Sequence, residues 1–179
     1  MPTLIIEDGS VVAGANSFIT VAEWETYLSL YGKSATGTED EKETNLIKAQ
    51  RAISTRYSFD GVIVEQTQST CLPRNWSRKI KGFTIASNAV PQDFKDAQAE
   101  LAYDIQEGAD PFANATGGVL GPLTGDKAKA GPVETEKTYG SGGTSYDPRA
   151  MSNHTAVNAL LRPYFAAGAN GMQIRMERG

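Results

Sequence analysis

The sequence predicts a mainly α-helical protein: a small bundle of about four helices with a few short β-strands, a long Gly-rich arm and an extended C-terminal tail. Apolar residues recur at spacings of three and four in four segments, and Thr-x-x-Glu capping boxes mark two of the helix starts. The 179 residues are enough for one domain with a moderate core, while 18 glycines and 8 prolines indicate a substantial irregular part.

We expect one domain over residues 1–179. The helical core is predicted over about 20–108 and 153–167, the arm over about 109–150 and the tail over about 168–179. A structureless connection of about 40 residues is too long for a compact domain to carry without a role. The arm is therefore expected either to be disordered or to bind a partner.

The N-terminal segment is predicted to hold two short strands, Leu4–Ile6 and Val11–Val12, separated by an acidic turn. Asn16 and Ser17 then precede the first helix. Their side chains are of the kind that shapes turns, and this is the interpretation we favour over a contact with a neighbouring subunit.

The first helix has an unusually complete set of local signals. Thr20 and Glu23 form a capping box, Ile19 and Trp24 occupy the hydrophobic-staple positions, and Gly32 supplies a left-handed stop. The residues expected to face inward are Val21, Trp24, Tyr27, Leu28 and Tyr31.

Three further helices are predicted. The second starts at the capping box Thr38–Glu41, the third runs from Pro91 to Gly108, and the fourth starts at about Asn153. Pro163 lies inside the fourth, so a kink or an early end is expected there. The inward residues are Leu46, Ala49, Ile53 and Tyr57 in the second helix, Phe94, Ala97, Leu101, Ala102 and Ile105 in the third, and Val157, Leu160, Leu161, Tyr164 and Phe165 in the fourth.

The arm is predicted to hold one strand, Pro132 to Tyr139. The stretch Gly121–Ala128, "GPLTGDKA", superficially resembles a phosphate-binding loop, but Asp126 intervenes before Lys127 and alanine replaces the Ser/Thr that would hold magnesium. We interpret this stretch as flexible linker.

Nothing in the sequence assembles a catalytic or metal site. His154 is the only histidine and stands at a helix start, which favours a capping or surface role over acid–base catalysis. Cys71 is the only cysteine, and its Leu-Pro neighbours favour a packed residue over a reactive thiol. The chain is therefore predicted to be no enzyme and to use no metal or cofactor.

One basic segment lies within this weakly acidic chain, whose net charge is −4. Arg74, Arg78, Lys79 and Lys81 fall within eight residues without an acid, and Trp76 is interleaved with them. This pattern is typical of a loop that contacts phosphates and stacks a base on its aromatic ring. The alternative is a solvated loop whose tryptophan packs on the core.

The C-terminal segment "GMQIRMERG" alternates apolar and polar residues, with Met172, Ile174 and Met176 on one side. Such a segment would fray in a monomer but could lay one face on a partner. No apolar run approaches the roughly 20 residues that span a bilayer, and the first residues lack the features of a signal peptide.

Several stretches, in order over nearly the whole chain, carry a resemblance to a known family. They are "LIIEDGSVVAGANSFITVAEWETYLSLYG", "NLIKAQRAISTRYSFDG", "LPR", "VPQDFKDAQAELA", "AGPVETEKTY" and "ALLRPYFAAG". Together they are similar to tailed-phage head-to-tail connector or adaptor proteins, a family often labelled "DnaT-like single-stranded DNA-binding". The region 109–150 looks longer than the usual connection in that family.

The resemblance implies a structural virion protein, made in the host bacterial cytoplasm. It would form a ring, usually twelve-fold, that joins the portal to tail or neck proteins, does not contact a membrane, and lets genomic DNA pass through its lumen without sequence specificity. The resemblance also implies that the C-terminal tail docks in the portal, here through Met172, Ile174, Arg175, Met176 and Arg178. The alternative function is single-stranded DNA binding in replication, centred on Arg74, Trp76, Arg78, Lys79 and Lys81.

Overall fold

A computed structural model of the protein describes residues 2–112, 123–129, 134–139 and 154–166. The chain divides into two compact units, one of Met1–Phe112 with Arg149–Gly179 and one of Ala113–Pro148. The first unit contains helices α1 (Val21–Leu30), α2 (Glu39–Arg56), α3 (Gln92–Gln106) and α4 (Thr155–Leu161), and a two-stranded ribbon of β1 (Val62–Ile63) and β2 (Arg74–Asn75). The second contains the antiparallel pair β3 (Leu123–Lys129) and β4 (Glu134–Tyr139). The mainly helical fold class is thus confirmed.

The capping signals predict the helix starts correctly. Thr20 accepts from the amide of Glu23 while the Glu23 carboxylate accepts from the amide of Thr20, and Thr38 and Glu41 repeat the arrangement at α2. Gly32 has a φ of 68°, as the left-handed stop requires. The prediction that Tyr31 faces inward is wrong, because this residue is 61% exposed. Tyr31 is the C-cap of α1 and lies beyond the buried residues of that helix.

The core is built where α2 and α4 pack on α3, with α1 contributing Trp24 and Leu28. The Trp24 indole is fully buried, and its Nε1 donates to the carbonyl of Ala99 at 2.9 Å, so the one polar atom of this large side chain is satisfied. Other side chains with no exposed surface are Phe18, Leu46, Ile53, Leu72, Phe94, Leu101, Val157 and Leu161. Cys71 is also buried, as predicted.

The predicted N-terminal strands are wrong, since the structure has only a single bridge between Ile6 and Ser17 there. The reason is Glu7, a carboxylate with 1% exposure that accepts hydrogen bonds from the amides of Gly9, Val11 and Val12. Those amides would otherwise be free to join a ladder. Asn16 shapes the same loop, as expected, by accepting from the amide of Ile5 and donating to the carbonyl of Thr3.

The fourth helix ends early, as its proline predicts. α4 stops at Leu161 and a 3₁₀ turn, Arg162–Tyr164, carries Pro163. The expected surface or capping role of His154 is wrong: the residue stands at the N-cap position, but its side chain is buried, makes no capping bond, and its Nδ1 is hydrogen-bonded to Asp104 of α3.

The connection between α3 and α4 is held at both ends. On the α3 side, Arg56 donates from Nη1 to the carbonyl of Pro111 at 3.1 Å. On the α4 side, His154 pairs with Asp104, and Tyr57 donates to Oδ1 of Asn158 at 2.6 Å. The core is therefore fixed immediately before and after the long connection.

The interpretation of 121–128 as flexible linker is wrong from Leu123 onward, since Leu123–Lys129 forms strand β3 and pairs with β4. The predicted strand Pro132 to Tyr139 is confirmed over Glu134–Tyr139, while residues 130–133 lie outside the described ranges. Residues of opposite charge stand directly opposite each other, in the register pairs Asp126↔Lys137, Lys127↔Glu136 and Lys129↔Glu134. Cross-strand pairs of opposite charge favour strand pairing even where apolar and polar residues do not alternate.

Gln98 joins three parts of the chain inside the core. Its side chain has no exposed surface; Oε1 accepts from the amide of Phe18 at 2.8 Å, and Nε2 donates to Ser17 Oγ at 2.7 Å and to the carbonyl of Leu46 at 2.9 Å. One amide thus links the N-terminal segment, α2 and α3. Both of its donors and its acceptor are used.

Replacing Gln98 with leucine should lower the free energy of unfolding by about 2–4 kcal/mol, because the buried amide of Phe18 would lose its acceptor and the Ser17 hydroxyl would lose one of its hydrogen bonds. Urea denaturation measures this change. Gln92→Leu is a matched control on the exposed start of the same helix and should alter stability by no more than about 0.5 kcal/mol. Equal stability of the two variants would contradict the role given to Gln98.

Candidate nucleic-acid interface and exposed apolar surfaces

The basic segment predicted to face DNA forms β2 and the loop between β2 and α3. Arg74, the first residue of β2, points its guanidinium at the backbone of the chain rather than at solvent. Its Nη2 donates to the carbonyls of Phe59 and Gly61, its Nε to that of Asp60, and its Nη1 to that of Cys71. The guanidinium is thus committed to satisfying four carbonyls at the base of the ribbon.

Arg78 is likewise engaged within the chain, although its side chain is 44% exposed. Its Nη2 donates to the carbonyls of Pro163 and Phe165, at 3.1 and 2.9 Å, and its Nε lies 3.7 Å from Oδ1 of Asp60. Because Pro163 and Phe165 follow α4, this side chain fastens the C-terminal end of the described core to the basic segment.

Trp76 packs against the core instead of presenting a free ring face. Its ring lies 5.4 Å from that of Tyr164 and 6.3 Å from that of Phe94, between centroids, and the residue is only half-buried. Its indole Nε1 is buried and has no hydrogen-bond partner among the described residues. The sequence left two interpretations of this tryptophan open, and this geometry is the one expected of a packing residue.

The two lysines differ in their surroundings. Lys79 is exposed and forms no hydrogen bond or ion pair with any residue the structure describes. Lys81 Nζ lies 2.5 Å from Oδ2 of Asp93, in an ion pair that is half exposed on the lysine side. Lys81 and Gly82 both have positive φ, which places the pair at the tip of a tight turn between Ile80 and Phe83.

The five residues therefore do not converge on one open surface. Arg74, Trp76 and Arg78 are used inside the fold, and Lys79 is the cation left available in the described part of the segment. The predicted portal-docking residues lie outside the described residues; they are Met172, Ile174, Arg175, Met176 and Arg178.

Asp60 anchors this region from the acidic side. The carboxylate accepts from the hydroxyl of Ser77 at 2.6 Å and from its amide at 3.0 Å. Burial acts to raise the pKa of Asp60, but these hydrogen bonds and the charge of Arg78 outweigh it, so the pKa lies below the ordinary value of 3.8. No local sequence pattern indicates this role, since Ser77 and Arg78 lie 17 and 18 positions after Asp60.

Two exposed apolar surfaces lie elsewhere on the first unit. One is a groove of about 510 Å³ between α1 and α3, beside which Leu30 and Tyr31 are 76% and 61% exposed. The other is the apolar ribbon, defined as Val62–Val64, whose three side chains are 65%, 38% and 38% exposed. Neither was singled out from the sequence, because exposure at a helix end or on a two-residue strand has no periodic signature.

The described ranges give little support for metal binding, membrane insertion or thiol reactivity. No group of three or more His, Cys, Asp or Glu residues there could hold a metal ion, and no helix there is long and apolar enough to span a membrane. Burial raises the pKa of the Cys71 thiol to about 11, so the thiolate is scarce near neutral pH.

Asp60→Asn should destabilise the fold by about 1–3 kcal/mol at neutral pH, because the carboxylate's charge-assisted bonds to Ser77 are lost. A carboxyl with a lowered folded pKa stabilises the fold above its unfolded pKa and loses that contribution as pH falls. The stability difference from wild type should therefore shrink as pH drops through 3.8 and below. Denaturation across a pH series tests this. The stability of Ser77→Ala should lie between those of wild type and Asp60→Asn. Parallel curves of stability against pH for wild type and Asp60→Asn would contradict the role of the Asp60 carboxylate.

Comparison with known proteins gives one family. No curated protein and no solved structure matches the chain. A family model described as "Putative DnaT-like ssDNA binding protein" matches residues 2–179. Because the match covers nearly every residue, the chain belongs to this DnaT-like family.

Proposed function

We propose that this protein is a non-enzymatic assembly subunit, a head-to-tail adaptor of a tailed phage. It would form a ring, dodecameric by analogy with the adaptors it resembles, between the portal and the tail or neck proteins, with genomic DNA passing through the lumen. Its place would be the virion, after synthesis in the host bacterial cytoplasm.

The observation that carries this proposal is the pair of apolar surfaces on an otherwise well-satisfied core. Leu30, Tyr31 and the apolar ribbon are exposed, whereas buried carboxylates, amides and guanidinium groups of the same unit find partners within it. Large exposed apolar side chains grouped in this way are typical of surfaces that another protein covers. The sequence resemblance over nearly the whole chain supports the same function.

The C-terminal tail is proposed to provide the contact with the portal. Its apolar residues Met172, Ile174 and Met176 alternate with polar ones, which suits an extended segment lying on a partner. Arg175 and Arg178 add positive charge that an acidic portal surface would attract.

Removing residues 172–179 should abolish capture of the portal protein of the same phage in a pull-down, while far-UV circular dichroism of the core stays unchanged. Two substitution variants that keep the full chain length give a more specific test. Met172→Asp/Ile174→Asp/Met176→Asp should lose the portal, whereas Gln173→Ala/Glu177→Ala should keep it. Undiminished capture by the truncated chain would refute tail docking, and negative-stain images of the mixture would reveal whether a ring forms on the portal.

Single-stranded DNA binding is the second proposal, and the family description supports it directly, whereas that description names no virion component. Within the basic segment, Lys79 is exposed without a partner in the described residues, and Lys81 is half exposed. A modest electrostatic contact with phosphates is the form of binding that this arrangement favours, since Arg74 and Trp76 are held by the fold.

If DNA binds here, Lys79→Ala should weaken binding to an oligonucleotide and lower the slope of log K against log salt by about 0.7, the value for one phosphate contact on a single strand. Fluorescence anisotropy at several salt concentrations measures this. Lys48→Ala, which removes an exposed lysine of α2, is the matched control. Binding confined to very low salt, or equal effects of the two substitutions, would contradict a DNA site in this segment.

A further inference from the structure

Phe83 is an aromatic residue that the fold leaves uncovered just after the basic segment. The residue is 75% exposed, the largest exposed fraction of any aromatic residue that the structure describes. Trp76, the aromatic residue that the sequence pattern indicated, packs instead against Phe94 and Tyr164. Because a base can stack only on an accessible ring face, Phe83 rather than Trp76 can provide one.

A tight turn fixes the position of Phe83. The amide of Ile80 donates to the carbonyl of Phe83, and the amide of Phe83 donates to the carbonyl of Ile80, each at 2.9 Å. Between them, Lys81 and Gly82 have φ values of 51° and 85°, as at the central residues of a type I′ turn. Ile80 is 2% exposed and anchors the turn in the core. A ligand of this turn would therefore meet a backbone that is already ordered, which limits the entropy lost on binding.

The same turn carries positive charge. Residues 66–92 contain four basic residues and neither Asp nor Glu. Lys79 and Lys81 flank Ile80; Lys79 forms no hydrogen bond or ion pair with any described residue, and the side chain of Lys81 is 51% exposed beside its partner Asp93. Single-stranded nucleic acid binds where cations contact its phosphates and an aromatic ring stacks on a base. The turn has both components.

The surroundings of Phe83 favour a base over a protein as its partner. Lys79, Lys81, Gly82 and Thr84 are all exposed, so the neighbours of the ring along the chain are polar or have no side chain. A surface that another protein covers usually consists of several contiguous apolar side chains. A single ring between cations instead matches one planar base and its phosphates.

We propose that Phe83 stacks on a base of single-stranded DNA while Lys79, with Lys81 beside it, contacts the adjacent phosphates. The inference rests on the second function proposed above, single-stranded DNA binding, and names the residue that contacts a base. Every base has a face that can stack on a phenyl ring, so this contact carries little sequence preference.

Substitutions of Phe83 test stacking directly. Phe83→Ala should weaken binding of an oligothymidylate of about 12 nucleotides by about 5- to 150-fold, the range for one base on an aromatic side chain. Phe83→Leu should lose nearly as much although leucine is apolar, whereas Phe83→Tyr should keep most of the affinity. Fluorescence anisotropy measures these affinities. Tyr31→Ala removes an exposed aromatic side chain at the end of α1 and, as the matched control, should bind like the wild type.

Two further measurements distinguish the ring from the lysines. Phe83→Ala should leave the slope of log K against log salt unchanged, because the ring neutralises no phosphate, whereas Lys79→Ala lowers that slope. An oligonucleotide of abasic sites keeps its phosphates but has no bases, so the wild type and Phe83→Ala should bind it equally. A loss of affinity in Phe83→Ala that persists on the abasic oligonucleotide would overturn stacking.

The variants also separate the stacking role from DNA binding itself. If Lys79→Ala weakens binding and Phe83→Ala does not, DNA binding stands and the stacking role of Phe83 is wrong. If the wild type binds no oligonucleotide at physiological salt, the DNA function and the stacking role are both refuted. If Phe83→Ala lowers capture of the portal protein and leaves DNA affinity unchanged, the ring is a protein contact and the stacking role is overturned.

Discussion

The hydrogen bonds of a single buried amide hold the core in register. Gln98 lies on α3 and reaches the segment before α1 and the carbonyl of Leu46 in α2, so three separate stretches share one polar centre. Apolar packing around Phe18 and Phe94 supplies most of the stabilisation but is tolerant of small shifts. A buried amide whose hydrogen bonds are all made does not tolerate such shifts, since a shift that breaks one hydrogen bond leaves a buried polar group without a partner. The orientation of α1, whose capping box begins two residues after Phe18, depends on this constraint.

A second polar centre fastens the C-terminal part of the described core. The amide of Asp60 donates to the carbonyl of Tyr164 and that of Ala166 to the carbonyl of Ser58, while Arg78 bonds the carbonyls of Pro163 and Phe165. Around these bonds, the rings of Tyr57, Phe59 and Phe165 stack in an aromatic cluster. The basic residues of this region thus contribute to the fold: among Arg74, Arg78, Lys79 and Lys81, Lys79 is the one that forms no hydrogen bond or ion pair with a described residue.

The features that were predicted correctly from the sequence depend on residues within a few positions of one another. Both capping boxes, the stop at Gly32 and the early end at Pro163 are local, and the structure has each of them. The features it missed depend on distant partners. Glu7 accepts hydrogen bonds from amides of a predicted strand, and β3 pairs with β4, a partner segment that lies later in the chain. The role of Arg74 in the fold was missed for the same reason: three of the four carbonyls that it binds belong to residues 59–61, 13–15 positions away, and a backbone carbonyl has no side-chain signature.

The hydrogen bonds at both ends of the α3–α4 connection affect how strongly the stability of the core depends on the length of that connection. Arg56 holds Pro111 and Asp104 holds His154, so the chain leaves and re-enters the core at two anchored points. The entropic penalty of closing a loop between such points grows only slowly with its length, by about 0.6 kcal/mol for each doubling. A change in the number of residues between Phe112 and His154 should accordingly alter the free energy of unfolding of the helical core by little.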